Sequence, residues 1–546
     1  MGLRLRMTRA SAVRGTVCAG VLLATMTLMG CPGEGGTRPG GDDSRSPGAS
    51  SASAPASLTR SPARQSSAQA PVPAGVPRAI PAVRSAEAAA GPGWRPTDGA
   101  RVIASGPLAD EGRRLAGELK LGYAAGPARA GDVELVLRPG TGQGPLAAEA
   151  YELTVRDGKV LVASAGEAGV FYGTRTLLQA VRSGGGLPEG VVRDAPDRAQ
   201  RGLHLDIARK HFTAEWIEAR LRELSALKLN QLALHFSDDQ GFRIESDSHP
   251  EIVSPQRLTK AEVRRIVALA ESLHITVIPE IDSPGHLGAV IAAHPTLQLR
   301  DATGKAARGA VDIANPDAAR IVDDLLREYA PLFPGPYFHL GADEYRALMA
   351  KNPEASYPRL AARAREKYGP RARVQDLATG WLNDRAALVR TLGKKAKAWN
   401  DGFFRGGVVS ANKDIEVEYW TGKEIGARLP QEYLNEGRTL VNLNDEYLYY
   451  VLGEPNQFTY PTGQRIYEQW SPAVLRGTAP VPGQSGPDRV VGGRLAVWCD
   501  RAEAQNAQQV AAGIRLPLAA VAQRLWDARR PTMPWQDFVA LDARVR

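Results

Sequence analysis

Cysteine is scarce in this chain of 546 residues: there are three, Cys18, Cys31 and Cys499. Two fall in or at the end of an N-terminal segment, so the rest has one thiol and no disulfide framework. Stability must come from a core, where Cys499 is expected as a small buried side chain. Long apolar runs are missing as well. No stretch of about 18 apolar residues occurs, which excludes a polytopic membrane protein. Aromatic residues are absent between positions 32 and 93. Charge imbalance is confined to one end: the net charge is +9, but residues 1–100 hold 11 Lys+Arg against 5 Asp+Glu, leaving +3 for the remainder. That balance gives no reason to expect a nucleic-acid partner. There is no HExxH spacing and no glycine-rich phosphate loop, and neither metal nor cofactor is expected.

What is present begins with an address. Arg4, Arg6, Arg9 and Arg14 precede a short apolar stretch over residues 16–30, the pattern of a secretory signal rather than a spanning helix. It ends in Leu28-Met29-Gly30-Cys31, which resembles the bacterial lipoprotein box. That resemblance implies diacylation of Cys31, and two acyl chains are what stable anchoring needs. Ordinary cleavage nearby, with Cys31 unmodified, is the alternative. The protein is therefore expected to be exported, and either lipid-anchored to the outer face of a bacterial membrane or secreted. Residues 32–93, dense in Pro, Gly, Ser and Ala, cannot bury enough apolar area to offset chain ordering and read as a disordered tether.

Residues 94–197 read as a small α+β unit. Helical spacing appears over residues 110–123 and 169–182, with strand-like runs over 132–140, 149–158 and 159–166. Asp157-Gly158 between two alternating runs is a hairpin signal. Residues 198–546 contain eight short β-type runs, most of them separated by helical segments. Thr213, Thr259 with Glu262, and Asn315-Pro316 supply helix starts. The alternation predicts an α/β fold, a parallel (β/α)8 TIM barrel, over a doubly wound open sheet. Between Trp399 and Glu416 there is little room for a regular helix.

In such a barrel, functional groups sit where strands end. The ends here read Asp206, Asp238-Asp239, Glu280 with Asp282, Asp343-Glu344, Trp399 with Asp401, Trp420, Asn444-Asp445 with Tyr447, and Trp498 with Asp500. Carboxylates crowded on one rim repel each other and resist desolvation, so stability alone explains them poorly. They suit acid and base work, while flat tryptophan faces suit a sugar ring. These residues point to a glycoside hydrolase. Asp343 and Glu344 are sequence neighbours, and neighbours on a strand face opposite ways. Both can line one site only if the backbone bends.

Several stretches then match one family in order: Arg201-Gly202 with residues 205–209, then 232–246, 278–286, 337–344, 398–402, 418–422 and 492–498. They resemble the family 20 glycoside hydrolases, the β-N-acetylhexosaminidases. Residues 96–197 resemble the domain preceding the barrel in that family, and residues 439–455 look closest to its dispersin-like branch, which cuts poly-β-1,6-N-acetylglucosamine. The resemblance implies substrate-assisted retention: the acetamido oxygen attacks C1, giving an oxazolinium intermediate. It implies Glu344 as general acid and then base, Asp343 on the acetamido N–H, and Tyr447 on the acetamido carbonyl. It further implies Arg201 on hydroxyls of the terminal sugar, and Trp399, Trp420 and Trp498 around the acetamido methyl and sugar face, with Asp401 and Asp500 also binding substrate. Asp239 or Asp238, with Asp282 and His286, would support the acid. Two departures stand out. The usual Gly-Gly-Asp-Glu reads Gly341-Ala342-Asp343-Glu344, one methyl more, and an expected Asp is Tyr449.

The implied partner is an N-acetylglucosamine-containing oligo- or polysaccharide. A non-catalytic glycan-binding lipoprotein is the reading from another class. Strand alternation lets His204, His235 and His339 face the barrel interior, paired with carboxylates. His249, His274 and His294 read as solvated, as do Lys394, Lys395 and Lys397.

Overall fold

In the computed structural model, which describes residues 75–423, 427–483 and 485–546, eight parallel strands close into one barrel. They are β1 (Gln200–Asp206), β2 (Gln231–His235), β3 (Thr276–Glu280), β4 (Tyr337–His339), β5 (Lys395–Trp399), β6 (Glu416–Tyr419), β7 (Leu440–Asn442) and β8 (Val490–Trp498). Closure runs through two partners of β8: Gly493 lies opposite Arg201 of β1 and opposite Asn442 of β7. A further strand, Tyr449–Val451, pairs with the upper half of β8, placing Val451 beside Trp498. All eight strands fall on the runs expected from the sequence.

The helices begin where side-chain oxygens can take their free N–H groups. Thr213 accepts from Trp216 N at the start of α1 (Ala214–Ala226), and Thr259 with Glu262 forms a capping box on α2 (Lys260–Ser272). Asn315 caps α3 (Pro316–Tyr329), with its proline in the first turn. Then follow α4 (Val374–Thr391), α5 (Pro430–Asn435), α6 (Gly463–Gln469), α7 (Ala507–Trp526) and α8 (Trp535–Val545). Between β5 and β6 the only regular element is a single helical turn, Asn400–Gly402, followed by irregular chain to residue 415.

The preceding unit is a seven-stranded sheet with helices Ala109–Leu119 and Glu167–Gly184. Its hairpin turns at Asp157 (φ 52°) and Gly158 (φ 67°), two left-handed residues as a two-residue loop demands. The tether gives way to structure earlier than its composition suggests. Residues 86–88 pair with 190–192 as an edge strand. Ile80 is fully buried, and its N–H donates to Gln179 Oε1. Backbone pairing and one anchored isoleucine order a segment that has no aromatic residue. Residues 1–31, with Cys31, and tether residues 32–74 lie outside the described part.

Lys397 corrects a second expectation. It is 0% exposed, because alternation along β5 turns it into the barrel, where it pairs with Glu416 and donates to Gln200 Oε1 at 2.8 Å. Arg494 pairs with Glu418 and donates to Gln231 Oε1 at 2.7 Å. The lower interior is thus a set of paired opposite charges.

Candidate active site

The chain bends sharply after β4. Gly341 has φ 70°, Ala342 φ 82° and Glu344 φ 45°, so the strand's alternation is broken and Asp343 and Glu344 share one cleft. Gly341 has no alternative: a β-carbon there would lie 1.6 Å from Asp282 Oδ1. Ala342 does carry a β-carbon in the left-handed region, at about 1–2 kcal/mol of backbone strain. Its N–H donates to Asp282 Oδ1 at 3.1 Å, and Glu344 N–H donates to Asp401 Oδ2 at 3.0 Å. Those two bonds hold the bend.

Asp282, Asp343 and His286 form the interior half of the cleft. Burial, with Glu280 and Asp238 nearby, pushes the Asp282 carboxyl up to about 7 against the pull of His286. Burial and Asp282 push Asp343 well above the usual carboxylate range. Two carboxyls in one dry site retain a proton between them. Beyond that shared proton, Asp343 Oδ1 and Asp282 Oδ2 are buried and take no hydrogen bond from another residue. His286 sits at the hub, with Nδ1 3.3 Å from Asp238 Oδ1, and Nε2 3.7 Å from Asp343 and 3.5 Å from Glu344. Burial opposes its charge, but the surrounding carboxylates win and hold the imidazole well above its ordinary value. The hydrogen bond from His286 in turn holds Glu344 below its ordinary value.

Asp238 anchors the network from β2. Burial would raise its carboxyl, yet His286, Arg209 and His235 hold it well below the carboxylate range. Arg209 Nη2 reaches its Oδ2 at 2.6 Å, and His235 Nε2 the same oxygen at 2.8 Å. Asp239, the other candidate, faces away: its Oδ1 accepts from Gly288 N and its Oδ2 pairs with Arg308 at 3.1 Å.

Aromatic rings wall the other half. Trp399 is buried at the floor, donating from Nε1 to Glu280 Oε1 at 2.8 Å. Glu280 is ringed by His204, His235 and His339 at 3.4, 3.3 and 3.1 Å, so all three imidazoles do face the interior. Trp498 lies 5.8 Å from Trp399, and its Nε1 is buried without an acceptor. Trp420 stacks on Tyr449 with centroids 5.6 Å apart and planes 1° apart. Its Nε1 donates to Asp401 Oδ1 at 2.9 Å. With Oδ2 held by Glu344 N–H, Asp401 has both oxygens engaged, and it positions its neighbours rather than offering a free carboxylate. Asp500 is exposed on the rim near Arg209.

Two expectations fail. Arg201 is 0% exposed at the opposite end of the barrel. It donates to Glu149 Oε2 at 2.7 Å, to Tyr172 Oη at 3.2 Å and to the carbonyls of Arg198 and Lys228. At the start of β1 it cannot reach a sugar at the strand's far end. The arginine at the cleft is Arg209, its guanidinium 5.4 Å from the Trp498 ring centre. Tyr447 closes a tight turn, its N–H donating to Asn444 O, and its ring lies beneath Arg465 in the main core. The tyrosine in the cage is Tyr449, whose hydroxyl burial and the charges of Asp445 and Asp343 push well up. Sequence reading passed over Arg209, although it lies just past the end of β1, where functional groups are expected.

Fold and cleft define the class first: a (β/α)8 barrel whose strand ends gather an adjacent carboxyl pair, a histidine hub and an aromatic cage. Comparison then gives the family. The catalytic domain of glycosyl hydrolase family 20 matches residues 199–529, and domain 2 of that family matches residues 76–195. The chain belongs to glycosyl hydrolase family 20. It is 31% identical over 482 residues to lacto-N-biosidase of Bifidobacterium bifidum, covering 87% of this chain and 42% of that protein. A beta-hexosaminidase of Vibrio furnissii is 28% identical over 69% of this chain and 65% of its own length. The chain therefore spans under two thirds of either relative. Among solved structures, a mutant Streptomyces plicatus beta-hexosaminidase in complex with its product GlcNAc superposes with TM-score 0.68 at 25% identity, covering 87% of this chain and 95% of that one.

Proposed function

We propose that this protein is a retaining glycoside hydrolase that releases β-linked N-acetylhexosamine with the sugar's own acetamido group as nucleophile. The observation that carries this reading is the bend that turns adjacent Asp343 and Glu344 into one cleft, with Asp343 Oδ1 buried and bonded to no other residue, placed to meet an acetamido N–H. The acetamido oxygen attacks C1 as the C1–O glycosidic bond breaks, and Glu344 delivers a proton to the departing oxygen. Water then adds to C1, its proton returns to Glu344, and the oxazolinium ring reopens. Orienting an intramolecular nucleophile contributes about 7–11 kcal/mol of barrier reduction. The His286 hydrogen bond holds Glu344 below its ordinary value in the free protein, so it takes up a proton as the sugar covers it, and His286 Nε2, 3.5 Å away, is placed to relay one. Tyr449 is the hydroxyl suited to the acetamido carbonyl, and Arg209 to hydroxyls at the rim.

Hydrolysis of a chromogenic N-acetyl-β-glucosaminide by the wild type and Glu344→Gln tests the reading. Turnover by the first and a loss of about 10²–10⁴ in the second is expected. Wild-type binding without turnover would instead favour a glycan-binding protein. A thiazoline mimic of the intermediate should inhibit tightly.

A second reading concerns the sugar's far side. Position 449, where an acid that binds a sugar hydroxyl is expected, is tyrosine, so no carboxylate from that position holds a terminal hydroxyl, and similarity to the protein named lacto-N-biosidase supports an extended unit such as lacto-N-biose as the group released. Side-by-side hydrolysis of a lacto-N-biose glycoside, a β-1,4 and a β-1,6 N-acetylglucosamine oligomer decides this, with preference for the β-1,6 polymer indicating dispersin-like action. The N-terminal motif supports export and anchoring through lipidated Cys31. Cys31→Ser should release the protein from the membrane fraction, and unchanged fractionation overturns the anchor.

A further inference from the structure

A second group of donors lies outside the cleft. The connection after β2 carries His249 and Glu251, around the turn Pro250–Ile252, and the connection after β3 carries His294 at the end of the short helix Gly288–Ala293. His249 Nδ1 lies 3.1 Å and His294 Nε2 2.7 Å from one oxygen, Glu251 Oε1. The two rings stand 89° apart, with centroids separated by 6.3 Å, and one donor atom from each of the three residues falls within 4.8 Å of the others. The remaining nitrogen of His249 is buried without a hydrogen-bond partner and faces Asp324 Oδ2 of α3 at 3.6 Å.

That last feature separates the group from a chance surface pairing. A metal-ligating histidine commonly turns its other nitrogen toward a carboxylate, which fixes the tautomer and strengthens the ligand. Two imidazoles and one carboxylate form a donor set taken by zinc, with a solvent-facing position left for water. Hard cations such as magnesium and calcium prefer oxygen-only sets. Ligands at about 2.0–2.1 Å from a tetrahedral zinc stand roughly 3.3 Å apart, so the contacts of His249 and His294 with Glu251 need to open by about 0.2 and 0.6 Å, while donor nitrogens of the two imidazoles start within 4.8 Å of each other.

We propose that His249, Glu251 and His294 bind one divalent transition-metal ion, zinc by donor type, with Asp324 supporting His249. The ion ties the connection after β2 to the segment that carries His286, eight residues before His294. It is a clamp on the cleft's scaffold and takes no part in bond cleavage.

The experiment is calorimetric titration of chelator-treated full-length protein with zinc sulfate, beside the same titration of Glu251→Gln and His294→Gln. The wild type should take up one equivalent, with affinity at least tenfold weaker in each variant, and zinc should raise the wild-type melting temperature alone. Cobalt should give a visible ligand-field band that His294→Gln lacks. No saturable uptake, or equal uptake by wild type and both variants, overturns the site. Melting curves without metal show whether each variant is folded, and Glu251→Gln, which conserves shape, decides if His294→Gln is not.

Discussion

Both ends of the barrel bury charge, and they treat it differently. At the base, each charge has a partner: Arg201 has Glu149 and two carbonyls, Lys397 has Glu416 and Gln200, and Arg494 has Glu418 and Gln231. At the top, Asp343 Oδ1, Asp282 Oδ2 and Trp498 Nε1 are buried with no partner. An unpaired buried polar group costs about 1–3 kcal/mol; the base has such atoms too, Glu418 Oε1 and Oε2 and Arg494 Nε and Nη2, but only those at the top adjoin a group open to a ligand, Glu344, whose side chain is 31% exposed. Buried charge alone therefore does not mark a functional site; incomplete charge that a ligand can reach does.

This contrast can be broken from either end. Glu344→Gln should lower turnover by about 10²–10⁴ while leaving the melting temperature nearly unchanged, as measured by steady-state kinetics and calorimetry. Arg201→Ala should do the reverse. Losing one partner of a buried pair costs about 3–5 kcal/mol, with KM of the folded fraction unaltered; a large KM increase would return Arg201 to the substrate. Asp282→Asn sharpens the comparison through pH. With that negative neighbour gone, Asp343 ionises at lower pH, so the acid limb of kcat/KM should move acidward; an unmoved limb would dissociate the two carboxyls. The smallest effect is expected for Ala342→Gly, which relieves left-handed strain and should stabilise by about 1 kcal/mol after the added chain entropy, read from denaturant midpoints.

Much of this was legible in the sequence. Short β-type runs ending in acids or tryptophans located all eight barrel strands, and the adjacency of Asp343 and Glu344 required a bend that the φ angles of residues 341, 342 and 344 supply. Height along a strand was not legible. Arg201 and Arg209 are eight residues apart, so in extended chain one arginine stands roughly 25 Å from the other, and only one of them reaches the cleft. Phase was lost in the same way at the turn before Tyr449: tight turns reset alternation, and the family resemblance implies Tyr447 for the cleft, whereas the structure packs Tyr449 against the tryptophans. Lys397 shows the converse, since a run of three lysines suggests a wet face while strand parity sends one of them inside.

Arg201 also bears on how this protein can be taken apart. Its guanidinium lies between Tyr172 of the first unit and Trp526 of α7, within 5.5 and 5.4 Å of their ring centres. A barrel expressed from residue 198 onward would lose Glu149 and Tyr172 together and open a cationic hole in its own floor. The N-terminal unit is a stopper as much as a module, and engineered versions should keep the two joined.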